Sequence, residues 1–93
     1  MKGEVAVFDV DCGLEVPKLS SWTAESFNAR EVGSLRWMVE LDGAACIVEL
    51  TRCEPRTVGR LMLPRTRMRV EGHPQALAEY KRLFMLRFAS AGG

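Results

Sequence analysis

The sequence predicts an α+β protein: an antiparallel sheet of four to five strands, in the order β-α-β-β-β(-β)-α, with helices packed on one face. Three observations carry that expectation. Asp42-Gly43 is a two-residue hairpin turn set between two alternating apolar segments. A β-branched, apolar segment, Glu4 to Val10, opens the chain. A run of strong helix formers with one apolar stripe, residues 75–89, closes it.

The elements follow in chain order. Residues 4–10 read as a strand covered on both sides, broken by Gly13 and Pro17. Residues 20–32 fit either a helix or a strand. Helix is favoured, capped by Ser20 or Ser21 and closed by Gly33. The Asp42-Gly43 turn then sets a register. Leu41 faces Ala44, Val39 faces Cys46, Trp37 faces Val48 and Leu35 faces Leu50, all apolar and all on one face. On the other face Met38 meets Ile47 and Arg36 meets Glu49. A slip of one residue would destroy this agreement. Val58 to Leu63 reads as the next meander strand, with Leu61 and Leu63 inward. Beyond Pro64 the apolar set moves to Thr66, Met68 and Val70, alternating with Arg65, Arg67 and Arg69. Pro64 is therefore a bulge or a strand break, and the arginine strand is expected at a sheet edge. Pro74 fits the first position of the last helix. Leu77, Tyr80, Phe84 and Phe88 form that helix's buried stripe, flanked by Ala76 and Leu83, while Met85 and Leu86 fall away from it.

The 93 residues are read as one domain, 1–93, with Ser90 to Gly93 disordered. No apolar run approaches the roughly 20 residues of a membrane helix, and no secretion signal is read. Three cysteines, Cys12, Cys46 and Cys53, form no close pair. With His73 they match no metal-ligand spacing, so no metal and no cofactor is expected. Small apolar cysteines suit a reducing cytoplasm.

The net charge of +1 hides an asymmetry. Residues 1–51 carry four basic against nine acidic side chains, and residues 52–93 carry nine basic against three acidic. Of the second set of nine, all but Lys81 are arginine, the residue that binds carboxylate and phosphate as a planar fork.

Val5-Ala6-Val7-Phe8-Asp9-Val10-Asp11-Cys12-Gly13-Leu14 resembles the first motif of the haloacid-dehalogenase phosphotransferase superfamily, an apolar strand ending in Asp-x-Asp. The resemblance implies Asp9 as nucleophile and Asp11 as general acid, with magnesium bridging to phosphate. It covers about ten residues. Cys12 and Gly13 stand where the family has glycine and threonine. No later segment matches its lysine or acidic metal-binding motifs, and a short meander lacks its parallel sheet. The alternative is a strand that ends in an Asp-rich turn. His73, before Pro74, has no identifiable catalytic partner and reads as structural or capping.

Arg65, Arg67 and Arg69 would project from one strand face, about 6–7 Å apart. Arg56 and Arg60 precede them, and Lys81, Arg82 and Arg87 lie on the last helix. Of the seven aromatic residues, only Trp22 and Phe27 are left as stacking candidates, the others being assigned to the core. The expectation is a non-enzymatic protein-interaction module, a cytoplasmic homodimer or a partner of another protein. Its contacts would come from Arg56, Arg60, Arg65, Arg67, Arg69, Arg82, Arg87, Met85 and Leu86. Nucleic-acid backbone binding by the arginine strand is the first alternative and a phosphotransferase using Asp9 and Asp11 the second.

Overall fold

The computed structural model describes residues 4–89. The tail, Ser90 to Gly93, lies outside them. In order the chain forms β1 (Ala6–Cys12), α1 (Val16–Phe27), β2 (Arg30–Gly33), β3 (Arg36–Leu41), β4 (Ala44–Arg52), β5 (Arg56–Val58), β6 (Leu61–Leu63), β7 (Thr66–Gly72) and α2 (Pro74–Phe84), which continues as a π-helical stretch, Met85–Ala89. Five strands make one sheet in the order β1-β7-β4-β3-β2. β5 and β6 pair only with each other. Every pairing is antiparallel. The α+β class is the one the sequence predicts, and the element order matches roughly: six strands follow α1, not three or four.

The β3–β4 hairpin has the register derived from its turn. Leu41 faces Ala44, Val39 faces Cys46 and Trp37 faces Val48. Asp42 and Gly43 both hold positive φ, 52° and 82°. Leu35 is itself in the left-handed region, just before the strand, and its carbonyl accepts from the Leu50 N–H at 2.9 Å. Trp37, Val39, Cys46, Val48 and Leu50 are all buried on the inner face.

Both helices lie on that face. The α2 stripe, Ala76, Leu77, Tyr80, Phe84 and Phe88, is buried as its spacing requires. His73 caps it, the imidazole Nδ1 accepting from the Gln75 N–H at 3.1 Å. Residues 20–32 resolve into both alternatives. The helix α1 begins earlier, with Pro17 in its first turn, and stops at Asn28, which turns left-handed at φ 52°. The four residues of β2 then pair with β3. Pro17 therefore starts a helix where it was expected only to break a strand, and Asn28 takes the closing role assigned to Gly33.

Trp22 and Phe27 are not spare. Trp22 packs edge-on against Phe27, Tyr80, Phe88 and Phe84, with ring centroids 5.0, 5.4, 5.3 and 6.1 Å away. These rings tie α1 to α2. At their centre Tyr80 is fully buried. Its hydroxyl shares a 2.9 Å hydrogen bond with Thr23 Oγ1 and lies 3.6 Å from Met68 Sδ. Both buried hydroxyls, of Tyr80 and Thr23, are thereby satisfied.

Three further expectations are corrected. β1 is not covered on both sides: Val5 and Val7 are 65% and 48% exposed, because β1 is an edge strand whose outer face carries no layer. The arginine strand β7 is not an edge. It lies between β1 and β4, and Pro64 costs no ladder hydrogen bond because it stands outside the strand. Residues 58–63 are not one inward-facing strand. Gly59, at φ 61°, folds them back into a separate hairpin.

Gly72 sits where β7 meets β4 most closely. A Cβ there would lie 2.5 Å from Cys46 Cα and 2.6 Å from the Ala45 carbonyl oxygen. Those are backbone atoms and cannot turn aside. Gly72→Ala is expected to cost about 1–3 kcal/mol in urea denaturation. Gly13→Ala, at a position with no neighbouring atom within 4 Å, is the near-neutral control.

Candidate functional site

Two surfaces present concentrated chemistry: the outer face of the sheet and the β5–β6 hairpin.

Strand alternation sends Thr66, Met68 and Val70 of β7 into the core and Arg67, Arg69 and Glu71 outward. From β1 the outward residues are Val7, Asp9 and Asp11, and from β4 they include Ile47, Glu49 and Thr51. The register sets Asp9 opposite Arg69 and Asp11 opposite Arg67. The arginines reach diagonally as well. Arg67 holds Asp9 with two hydrogen bonds, Nε to Oδ1 and Nη2 to Oδ2, both 2.9 Å. Arg65 Nη2 donates to Asp11 Oδ2 at 3.1 Å. Arg69 lies 3.9 Å from Asp9 and bonds Glu71 at 3.2 Å. One strand further on, Arg36 meets Glu49 at 3.6 Å. The face thus sets Arg36, Arg65, Arg67 and Arg69 against Asp9, Asp11, Glu49 and Glu71, each guanidinium with a carboxylate.

This lattice explains the charge asymmetry. The acidic and basic halves of the chain meet across the β1–β7 ladder. It also accounts for the Asp-x-Asp motif. Asp9 and Asp11 point the same way because they are two residues apart on a strand, and both are held by arginine. The parallel sheet that the phosphotransferase resemblance implies is not the one formed. The hydrogen bonds from Arg67 hold the Asp9 carboxyl below its ordinary value of 3.8. A hollow of about 340 Å³ lies on the same face, floored by Val5, Ile47 and Gly72 and walled by Arg36, Glu49, Arg69 and Glu71.

The hairpin is different in kind. β4 and β7 pair as far as Arg52 and Thr66. The Cys53 N–H then donates to the Arg65 carbonyl at 3.0 Å, closing the ladder. Beyond this point the chain loops out as an arm. Its register pairs Arg56 with Leu63, Thr57 with Met62 and Val58 with Leu61. Arg56, Val58, Leu61 and Leu63 therefore share one face, and Thr57 and Met62 the other. The apolar residues are uncovered: Val58 is 51% exposed, Leu61 63%, Met62 69% and Leu63 41%. Arg56 and Arg60 enter no ion pair among the described residues. At the base of the arm a hollow of about 160 Å³ is lined by Arg56, Leu63, Pro64 and Arg65 from one side and by Asp11, Cys12 and Gly13 from the other.

The residues nominated from sequence thus fall into three places. Arg65, Arg67 and Arg69 stand together on the outer sheet face, paired. Arg56 and Arg60 belong to the arm. The remaining four are on the helix layer, across the sheet from the strand arginines. There Arg82 bonds Glu79 at 2.7 Å, Arg87 lies 5.2 Å over the Phe88 ring, and Met85 and Leu86 are exposed. Leu86 borders a hollow of about 450 Å³ with Trp22, Phe27 and Leu83. Val58, Leu61, Met62 and Leu63 were not nominated. The signal for them was Gly59-Arg60, a glycine-led pair between two short apolar segments.

Among the described residues no group of three or more histidine, cysteine or acidic side chains is placed to hold a metal. No helix there is long and apolar enough to cross a membrane. The three cysteines are free. Burial pushes the thiols of Cys12 and Cys46 up to about 11. Comparison with protein-family models and with curated proteins finds no match.

Two measurements test this chemistry. Because the folded value of Asp9 is depressed, the stability it contributes is present above the ordinary carboxylate range. It is lost as pH falls through the lowered value. Asp9→Asn is expected to lower the denaturation midpoint at neutral pH, with the gap from the parent closing below about pH 4. A thiol reagent at about pH 8 is expected to modify Cys53 alone in the folded chain and all three cysteines after unfolding, counted by mass.

Proposed function

We propose that this protein is a small non-enzymatic protein-interaction module, acting in the cytoplasm as a regulator, accessory subunit or inhibitor, and that its principal contact surface is the β5–β6 arm. The observation that carries the proposal is the exposure of Val58, Leu61, Met62 and Leu63 on a hairpin that pairs with no other strand. A two-stranded hairpin on its own is marginal in water, and exposed apolar clusters mark contact surfaces. Met85 and Leu86 give a second, smaller apolar spot at the end of the helix. Three free thiols favour a reducing compartment.

Magnitudes limit what the arm alone can do. Full coverage of an aliphatic side chain contributes about 1.5–3 kcal/mol. The four are already about half covered, so complete coverage adds roughly 3–7 kcal/mol in all, against the ~4–15 kcal/mol cost of association. Apolar contact by itself therefore supports only weak binding, and further interactions must accompany it.

The nucleic-acid alternative loses its main support, since a phosphate backbone would have to displace carboxylates from Arg65, Arg67 and Arg69. Self-association through the strand arginines is weakened for the same reason: Arg65, Arg67 and Arg69 already have carboxylate partners within one chain.

A photo-crosslinking side chain placed at Met62, in cells that natively make the protein, tests the proposal. A discrete protein adduct from Met62, absent when the same group replaces Glu71 on the sheet face, is expected. Absence of any adduct, or ultraviolet crosslinking to nucleic acid instead, overturns it.

A further inference from the structure

We propose that the arm is an incomplete sheet that takes up an extended, acidic segment of a partner protein as its third strand, an inference that rests on the interaction reading above. β5 and β6 are three residues each and bond only to one another, so each presents one edge of backbone groups with no strand beside it. A sheet of two strands is marginal, and three strands with an apolar face are stable. The added strand supplies the backbone hydrogen bonds that apolar contact alone lacks.

Charge identifies the occupant. Arg36, Arg65, Arg67 and Arg69 of the sheet face are each matched with a carboxylate of this chain, whereas Arg56 and Arg60 of the arm are matched with none among the described residues. A segment that carries aliphatic and acidic residues together on one face meets both features. Its aliphatic side chains cover Val58, Leu61 and Leu63, and one of them enters the 160 Å³ hollow beside Leu63 and Arg56. Its carboxylates, on that same face, reach Arg56 beside Leu63 and Arg60 at the turn.

The same residues argue against other occupants. The turn at the arm's tip is Gly59-Arg60, so a charged side chain and not the apolar ones would meet a bilayer first. Residues 52–65 contain no aromatic ring on which a base could stack.

The test uses the full chain, isotopically labelled, and two capped peptides about seven residues long. One repeats valine-threonine-glutamate-threonine, which sets valine and glutamate on one face, and the other has lysine in place of glutamate. The acidic peptide is expected to shift the amide resonances of residues 56–63 saturably and to slow their hydrogen exchange. The lysine peptide should bind about tenfold more weakly or worse. The double variant Arg56→Glu, Arg60→Glu should reverse that preference while the sheet resonances stay in place, since both side chains lie outside the core. Equal binding of the two peptides, shifts confined to the sheet face or helices, or no shift at millimolar peptide overturns the proposal. So does arm protection by phosphatidylglycerol vesicles without peptide, or protection that grows with protein concentration alone. If the Met62 adduct persists while the acidic peptide fails, the interaction module stands and only its acidic occupant is lost. If the adduct is also absent, both are lost.

Discussion

The position of β7 between β1 and β4 is the constraint from which the rest follows. A strand with neighbours on both sides has its backbone fully engaged, and its side chains must satisfy two environments at once. Inward, Thr66, Met68 and Val70 are buried beneath the helices. Outward, Arg67 and Arg69 stand on an uncovered sheet face, exposed to solvent. Carboxylates on the flanking strands meet them: Asp9 and Asp11 from β1, with Glu49 of β4 opposite Arg69. Asp9 and Asp11 of the acidic half thereby meet Arg65, Arg67 and Arg69 of the basic half.

That placement also decides which surfaces are spoken for. Five strands and two helices enclose a single apolar cluster, with the aromatic ring system of Trp22, Phe27, Tyr80, Phe84 and Phe88 between the helices. The sheet's outer face has no covering layer, but Arg36, Arg65, Arg67 and Arg69 there are paired with carboxylates. Even Lys81 is engaged, its ammonium 5.1 Å over the Phe8 ring near the β1 edge. Unmatched chemistry concentrates on the arm, where apolar side chains and unpaired guanidinium groups occur together.

Local signals were legible wherever a turn residue and a side-chain period agreed. Asp42-Gly43 defined the β3–β4 register to the residue, and Pro74 with the Leu77–Phe88 stripe defined α2. Two kinds of feature were not legible. The first is lateral order: whether β7 lies at an edge depends on where β1 crosses back, and a strand's own residues do not record its neighbours. Arginine alternation suits an edge guard and an ion-pair lattice equally well. The second is the fate of short apolar segments. Leu61-Met62-Leu63 has the composition of a buried strand, and only Gly59 marked the reversal that leaves it exposed. Trp22 looked spare because the α1 boundary was misplaced by several residues, which hid its alignment with α2.

The arm grows from the point where the Cys53–Arg65 hydrogen bond closes the β4–β7 ladder. Everything that determines the fold lies on one side of that bond and everything exposed on the arm lies on the other. Loop-closure entropy rises only slowly with length. Residues 54–64 can therefore lengthen, shorten or change in character with little cost to the sheet beneath. The molecule is in effect a mounting plate with an interchangeable tool. Selection can retune what the arm touches without renegotiating the core, and a different hairpin grafted between Cys53 and Arg65 would inherit a finished scaffold.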